Sequence, residues 1–239
     1  MSRIVVLFVD KGGVLVDNRN LAPQWRRLLG EVLPRELGGD ADAWRTANDR
    51  AHVRKIERWH ERHRAGPASG ARYFLVAYDR LWLWDMCDTM EVPRPAVEET
   101  DVIARRVIDY VLLRLDAAFP GNAEALRAIS ARGVRLHTAS GDASADLEDY
   151  LRAVGVRDLF DRLNGADLVD TLKVGPEFYR AILEDCGVDP LRAAVVDDDE
   201  RALDWARQCG LRTFRFAPDG AMSSHAVVRT LGELLPAFV

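Results

Sequence analysis

The sequence is short of three things, and each shortage excludes something. Cysteine comes first. Cys87, Cys186 and Cys209 are widely spaced, odd in number and form no C-x-x-C pair. That pattern excludes a cysteine-ligated zinc site and leads us to expect reduced thiols in a cytoplasmic protein. Long apolar runs come second. Ile4 to Val9 is too short for a signal-peptide core and ends in Asp10. The longest stretch, Tyr73 to Cys87, is broken by Asp79, Arg80 and Asp85, short of the roughly 20 apolar residues a membrane span needs. Positive charge comes third. The 33 Lys and Arg are outnumbered by 38 Asp and Glu, for a net charge of −5 and a pI near 5.6. No global field draws such a chain to nucleic acid or an anionic membrane. Lysine itself is scarce: only Lys11, Lys55 and Lys173 are not arginine among those 33 basic residues. Each is therefore worth locating.

What is present is a chain of 239 residues, 48% hydrophobic and 30% charged. It is too apolar for disorder and long enough to bury a core without disulfide or metal staples. Two compositional zones divide it. Ile4–Val9, Val134–Thr138, Ala193–Val196 and Leu211–Phe216 read as strands, mostly apolar, as parallel strands covered on both faces are. Helical patterns near 121–132, 143–153, 175–186 and 199–209 lie between them, and a last one is expected near 225–237. The alternation predicts an α/β fold with a doubly wound parallel, Rossmann-like sheet.

Residues 19–117 differ. No strand is legible there, and helix breaks at Leu37–Asp40, Gly66–Gly70 and Pro93–Pro95 divide the segment into four helices. Asp40 is placed to cap the second of them. Trp25, Trp44, Trp59, Trp82 and Trp84 fall in this segment, where aromatics are expected to fill a small helical core. One or two facing the other domain would line a substrate pocket. The expected division is a core of 1–18 and 118–239, with an all-helical domain of 19–117 inserted.

In an open α/β sheet, ligands bind outside the carboxyl ends of the strands. Asp10 follows the first apolar run, Ser140 and Gly141 the second, and Asp197, Asp198 and Asp199 the third; Lys173 precedes the helix leading to that third run. Carboxylates after two strands, a hydroxyl after another and an upstream lysine make an oxygen-rich site. It suits a hard cation such as Mg²⁺ and a phosphoryl group.

These residues carry a resemblance over the whole chain to the haloacid dehalogenase-like superfamily, whose members are mostly aspartate-dependent phosphatases. Asp10-Lys-Gly-Gly-Val-Leu-Val-Asp17 is similar to its first motif, D-x-D-G-[TV]-L-x-D. Val134 to Gly141 resembles the strand ending in Ser or Thr. Lys173-Val-Gly-Pro-Glu-Phe178 resembles K-P-x-P-x-[IF], with Val174 for the first proline. Val195 to Ala206 resembles h-h-D-D-x-x-x-N-h-x-A-A, with Ala202 for Asn. The resemblance implies that 19–117 is a cap domain and that Asp10 attacks phosphorus to form an aspartyl phosphate. It also implies that Mg²⁺ is held by Asp10, the Gly12 carbonyl and Asp198, with Asp197 acting through water. Lys173, Ser140 and Gly141 then bind the phosphoryl oxygens. The expected partner is a small phosphorylated metabolite.

One departure stands out. The family's first motif usually carries a second Asp two residues after the nucleophile as acid and base, and here that position is Gly12. Positioned acid–base groups contribute ~10²–10⁴ in rate. Family members with D-x-G-G-V-L share the substitution, P-type ATPases with D-K-T-G-T also lack the second Asp, and phosphonoacetaldehyde hydrolases use a cap lysine as a Schiff base. Lys55 is the one cap lysine for that last chemistry, while His52, His60 and His63 are candidate proton donors. Lys11 is expected to point away from Asp10, since neighbours on an extended strand face opposite sides. Asp17 reads as a hinge or turn residue. A catalytically weak member that binds a phosphorylated ligand is the alternative from another class. Dehalogenases usually carry an aromatic residue at the Gly12 position and need no metal, which the Asp197-Asp198 pair argues against. Oligomeric state is not legible.

Overall fold

The computed structural model describes residues 4–66 and 70–238. The first apolar run forms β1 (Val6–Val9), whose four residues are all buried. Successive side chains on a strand point to opposite faces. Val6 and Phe8 accordingly join one cluster with Phe178, Ile182 and Leu203. Leu7 and Val9 join another with Leu126, Ile129 and Leu147. The remaining strands are β2 (Arg135–Ala139), β3 (Phe160–Asn164), β4 (Ala193–Asp197), β5 (Arg212–Phe216) and β6 (Ala226–Val228). They pair in parallel in the order β3-β2-β1-β4-β5-β6. The chain leaves β1 toward β2 on one side and later returns to place β4 on the other. The switch point of this doubly wound sheet therefore lies between β1 and β4.

The helices α5 (Asn122–Ser130), α6 (Ser144–Val154), α7 (Pro176–Cys186) and α8 (Glu200–Gln208) follow the expected segments within two residues. The expected helix at 225–237 is corrected. Ala226–Val228 is β6, paired in parallel with β5, and Leu231–Phe238 winds as a 3-10 helix containing Pro236. Its β-branched start gains more from a sheet edge, and its proline lacks the N–H that an α-helix interior needs. The strand β3 was not legible, because Phe-Asp-Arg-Leu-Asn lacks β-branched residues and owes its extended form to pairing with β2.

Between β1 and α5 the chain forms the inserted helical cap: α1 (Asn18–Leu37), α2 (Ala41–Arg64), α3 (Ala71–Thr89) and α4 (Val97–Leu112). Asp17 caps α1 by accepting from the Arg19 N–H at 3.0 Å. Asp40 accepts from the Asp42 and Ala43 N–H groups at 2.9 Å each, the cap its sequence position predicts. Trp44 and Trp82 are fully buried. Their indole N–H groups donate to Gly38 O and Asn48 Oδ1, as buried tryptophans require. The cap joins the core twice: through the large cluster it shares with the sheet, and through a small one of Ala71, Leu75, Ala166 and Leu172 against Trp59 and Phe74. At that second contact Asp170 of the core accepts from the Gly70 and Arg72 N–H groups, at 3.0 and 3.1 Å. A core carboxylate thus caps a cap helix.

Candidate active site

Each strand next to the switch point delivers one part of the site. Asp10 follows β1, Ser140 follows β2, and Asp197 ends β4 with Asp198 just beyond. Lys173 comes from the loop between β3 and α7, 163 residues after Asp10. Its ammonium donates to Asp10 Oδ1 at 2.7 Å, Asp197 Oδ2 at 2.6 Å and the Ala139 carbonyl at 2.9 Å. An ammonium has three donors, so these bonds tie three strand ends to one nitrogen. A planar guanidinium has no such tripod.

Asp197 is fully buried. Its Oδ2 takes Lys173 and the Tyr179 hydroxyl (3.4 Å), and its Oδ1 takes the Asp199 N–H (2.9 Å). Its role in the geometry is to hold Lys173. Asp198 lies against the loop after β1. A Cβ built on Gly13 would stand 2.1 Å from Asp198 Oδ2, and Gly13 has φ +73°. Both facts require glycine there. Carboxylate oxygens of Asp10, Asp197 and Asp198 lie within 4.8 Å of one another.

Three carboxylates around one ammonium leave negative charge uncompensated. Burial raises the Asp10 carboxyl well above the usual range, with Lys173 opposing and Asp197 adding to the rise. Asp198 is pushed up to about 6 by burial and by the charge on Asp197. Burial works against the Lys173 ammonium, but Asp10 and Asp197 outweigh it and hold the lysine protonated. A divalent cation fits this donor set: hard oxygen ligands, clustered, with charge to neutralise.

Gly12 leaves real space. A Cβ there would meet nothing closer than Asn18 Oδ1 and Asp10 Oδ2, each at 3.9 Å. Lys11 takes a partner other than Asp10, as expected, but not for the reason expected. β1 ends at Val9, so strand alternation no longer applies at residue 11. Lys11 turns instead toward the β2 end and donates to Asp142 Oδ2 at 3.1 Å, the same oxygen that accepts the Ser140 hydroxyl at 3.1 Å. Partial burial opposes ionisation of Asp142, but Lys11 and Ser140 hold its carboxyl below the usual range.

Above this loop the cap closes down. The indole of Trp59 lies 3.6 Å from a Cβ placed on Gly141, and a cavity of about 230 Å³ opens between α2, α3 and the loop after β2. Lys55 lines it, paired with Asp79 at 2.8 Å. His52 and His60 are exposed and not among its lining residues. The side chain of His63 lies outside the described residues. Sequence reasoning missed Tyr179, whose helical spacing with Ile182 and Leu183 marks it only as core. It also missed Asp142, signalled by nothing more than a carboxylate two residues after Ser140.

This architecture agrees with what the chain resembles. The model of the haloacid dehalogenase-like hydrolase family matches residues 4–210, and the chain belongs to that family of hydrolases. Protein CbbY of Cereibacter sphaeroides is 31% identical over 96 residues, 39% of this chain and 42% of that protein. "Probable phosphatase IndB" of Dickeya dadantii (strain 3937) is 32% identical over 93 residues, 39% and 40% of the two chains. The chain therefore matches about two fifths of the length of these curated relatives. Among solved structures, the 2-haloacid dehalogenase from Pseudomonas syringae pv. Tomato DC3000 superposes with a TM-score of 0.65 at 18% identity, covering 98% of this chain and 97% of its own. That likeness shows the fold. No described helix is long and apolar enough to cross a membrane.

Proposed function

We propose that this chain is a Mg²⁺-dependent phosphatase acting on a small phosphorylated metabolite, with Asp10 as nucleophile. The observation that carries the reading is the unbalanced charge at the switch point: Asp10, Asp197 and Asp198 around the single ammonium of Lys173. A haloacid is displaced at carbon by a carboxylate alone. A phosphoryl group brings further negative charge, and its approach to Asp10 requires added positive charge. Asp10, Asp198 and the Gly12 carbonyl would hold Mg²⁺, with Asp197 behind them; the ion would supply that charge.

Asp10 attacks phosphorus, the ester P–O bond breaks, and the leaving oxygen takes a proton. Water then attacks the aspartyl phosphate, releasing inorganic phosphate and restoring the carboxylate. Lys173 keeps Asp10 aimed and sets its charge beside the phosphoryl group. Lys173 and Ser140 would each exchange one present acceptor, the Ala139 carbonyl and Asp142 respectively, for a phosphoryl oxygen, while the Gly141 backbone donates to another. Gly12 supplies no proton, so esters with good leaving groups should turn over fastest. Schiff-base chemistry at Lys55 finds less support. Its ammonium is paired with Asp79 and lies 4.6 and 4.9 Å from the Tyr78 and Trp82 rings, so its nitrogen is already engaged by other partners.

Hydrolysis of phenyl phosphate with Mg²⁺ tests the reading. Asp10→Asn should lower kcat by about 10³-fold or more, as removal of a covalent nucleophile does. Equal rates in the two proteins would remove Asp10 from the chemistry. Tight Mg²⁺-dependent binding of beryllium fluoride with no turnover of any ester would instead favour a binding protein.

A further inference from the structure

The cavity between cap and core says something about what leaves with the phosphate. It starts at Gly141, beside the phosphoryl-binding loop, and its volume of about 230 Å³ lies below the roughly 300–1,000 Å³ of drug-sized pockets. Trp59 and Tyr78 form one wall, their ring centroids 5.7 Å apart. Asp79, Asp142 and Asp146 line it as well, with Lys55 the only cation among the lining residues.

Among the described residues, three cations at or beside the cavity are committed to carboxylates. Lys55 is on Asp79 and Lys11 on Asp142. Arg105 is divided among Asp109, Asp146 and Asp149. An anionic substituent would have to displace one of these pairs. The carboxylates, by contrast, keep acceptor capacity. Lys11 and Ser140 both donate to Asp142 Oδ2, and Lys55 donates to Asp79 Oδ1; a carboxylate has about four acceptor sites. The Asp142 side chain is 41% exposed against 11% for Lys11, so the negative end of that pair meets solvent. The aromatic wall favours the same sign. It already holds Lys55 over the Tyr78 ring at 4.6 Å, and ring faces attract cations by their quadrupole.

We propose that the cavity selects a leaving group bearing an ammonium substituent and discriminates against one bearing a second anion. This rests on the phosphatase reading for its attachment to the reaction, but the charge preference belongs to the cavity and is measurable by binding alone. Three arylphosphonates, which are not hydrolysed, make the probe: 4-(aminomethyl)phenylphosphonate, phenylphosphonate and 4-carboxyphenylphosphonate. They are titrated into the full chain with Mg²⁺ by calorimetry at low salt. The ammonium compound should bind at least tenfold more tightly than the carboxylate, with the neutral one between. Asp79→Asn, which frees Lys55, should bring that ratio toward one. An unaltered melting temperature shows that the variant is folded, and the wild-type ratio is decisive without it. A carboxylate bound as tightly as the ammonium overturns the inference. So does binding of inorganic phosphate with none of the three arylphosphonates. Failure of inorganic phosphate to bind would strike the phosphatase reading first and this inference with it.

Discussion

The two ends of the cleft use charge in opposite ways. At the sheet end, charges are buried and locked: Asp197 is fully enclosed, and Lys173 spends all three donors within the protein. At the cap end, charges are paired but partly open: Asp79 and Asp142 line a cavity and keep unused oxygens. Burial makes electrostatics strong and unforgiving, because an ion removed from water needs its partner. Partial exposure makes it weaker and adjustable, which suits discrimination among ligands. The sheet end fixes its charges in place; the cap end leaves part of its charge open to a ligand.

The most severe way to break that contrast is Lys173→Met. It strands Asp10 and Asp197 in a buried site, and losing one partner of a buried pair costs about 3–5 kcal/mol. Chemical denaturation should show that loss, together with loss of ester hydrolysis. Lys173→Arg should not restore activity, since its fork cannot reproduce the tripod.

A gain is expected at Gly12. Gly12→Asp places a carboxyl where the backbone leaves room. Hydrolysis of alkyl phosphates, which need a proton on the leaving oxygen, should rise by roughly 10²-fold, the low end of acid–base catalysis. Aryl phosphates should change far less, and an equal effect on both would show that proton supply is not what Gly12 lacks.

Acidity offers a milder probe. Asp198 is raised to about 6, so below that pH a proton occupies an oxygen that a cation needs. Mg²⁺ affinity measured by calorimetry should fall by about tenfold from pH 7 to pH 5. The sign holds for metal-free stability as well. A raised carboxyl lets the folded chain keep a proton that the unfolded chain has lost, so stability should decline as pH climbs from about 4 through 6. A pH-independent affinity would exclude Asp198 as a ligand.

The smallest effect is expected where cap meets core. Asp170→Ala removes the acceptor for the Gly70 and Arg72 N–H groups and should cost about 1 kcal/mol, as helix caps do. Those two backbone N–H groups hold the Asp170 carboxyl below its usual range. Its contribution should therefore be present at neutral pH and fade as pH falls below about 4. Melting curves of wild type and variant should converge there.

The core strands, the helical insertion and the residues Asp10, Ser140, Lys173, Asp197 and Asp198 were legible because each depends on local rules. Apolar runs mark buried parallel strands, and a ligand site in an open α/β sheet lies at their carboxyl ends. Asp40 was legible as a cap for the same reason, since capping is settled within three residues, whereas Asp17 read only as a hinge or turn residue and proves to cap α1. β3 was not legible, because its residues carry no strand signal of their own and its extended form comes from pairing with β2. β6 was not, because three residues at a sheet edge are too few to mark a strand.

The sequence by itself determined that a lysine would be found where a compact ammonium is needed. Only three were available, and Lys173 lies at the one place a strand-end site requires. What tertiary structure alone decided is the partner of each charge at the site. Lys11 lies next to Asp10 in the chain yet pairs with Asp142, 131 residues away, because the strand ends before it. Trp59 looks like the other cap tryptophans in composition, but besides Phe74 and Tyr78 of the cap it meets Gly141 of the core. Residue type is local information. Which groups share a buried volume, and so which charges are neutralised and which remain open to a ligand, depends on contacts that only the fold creates.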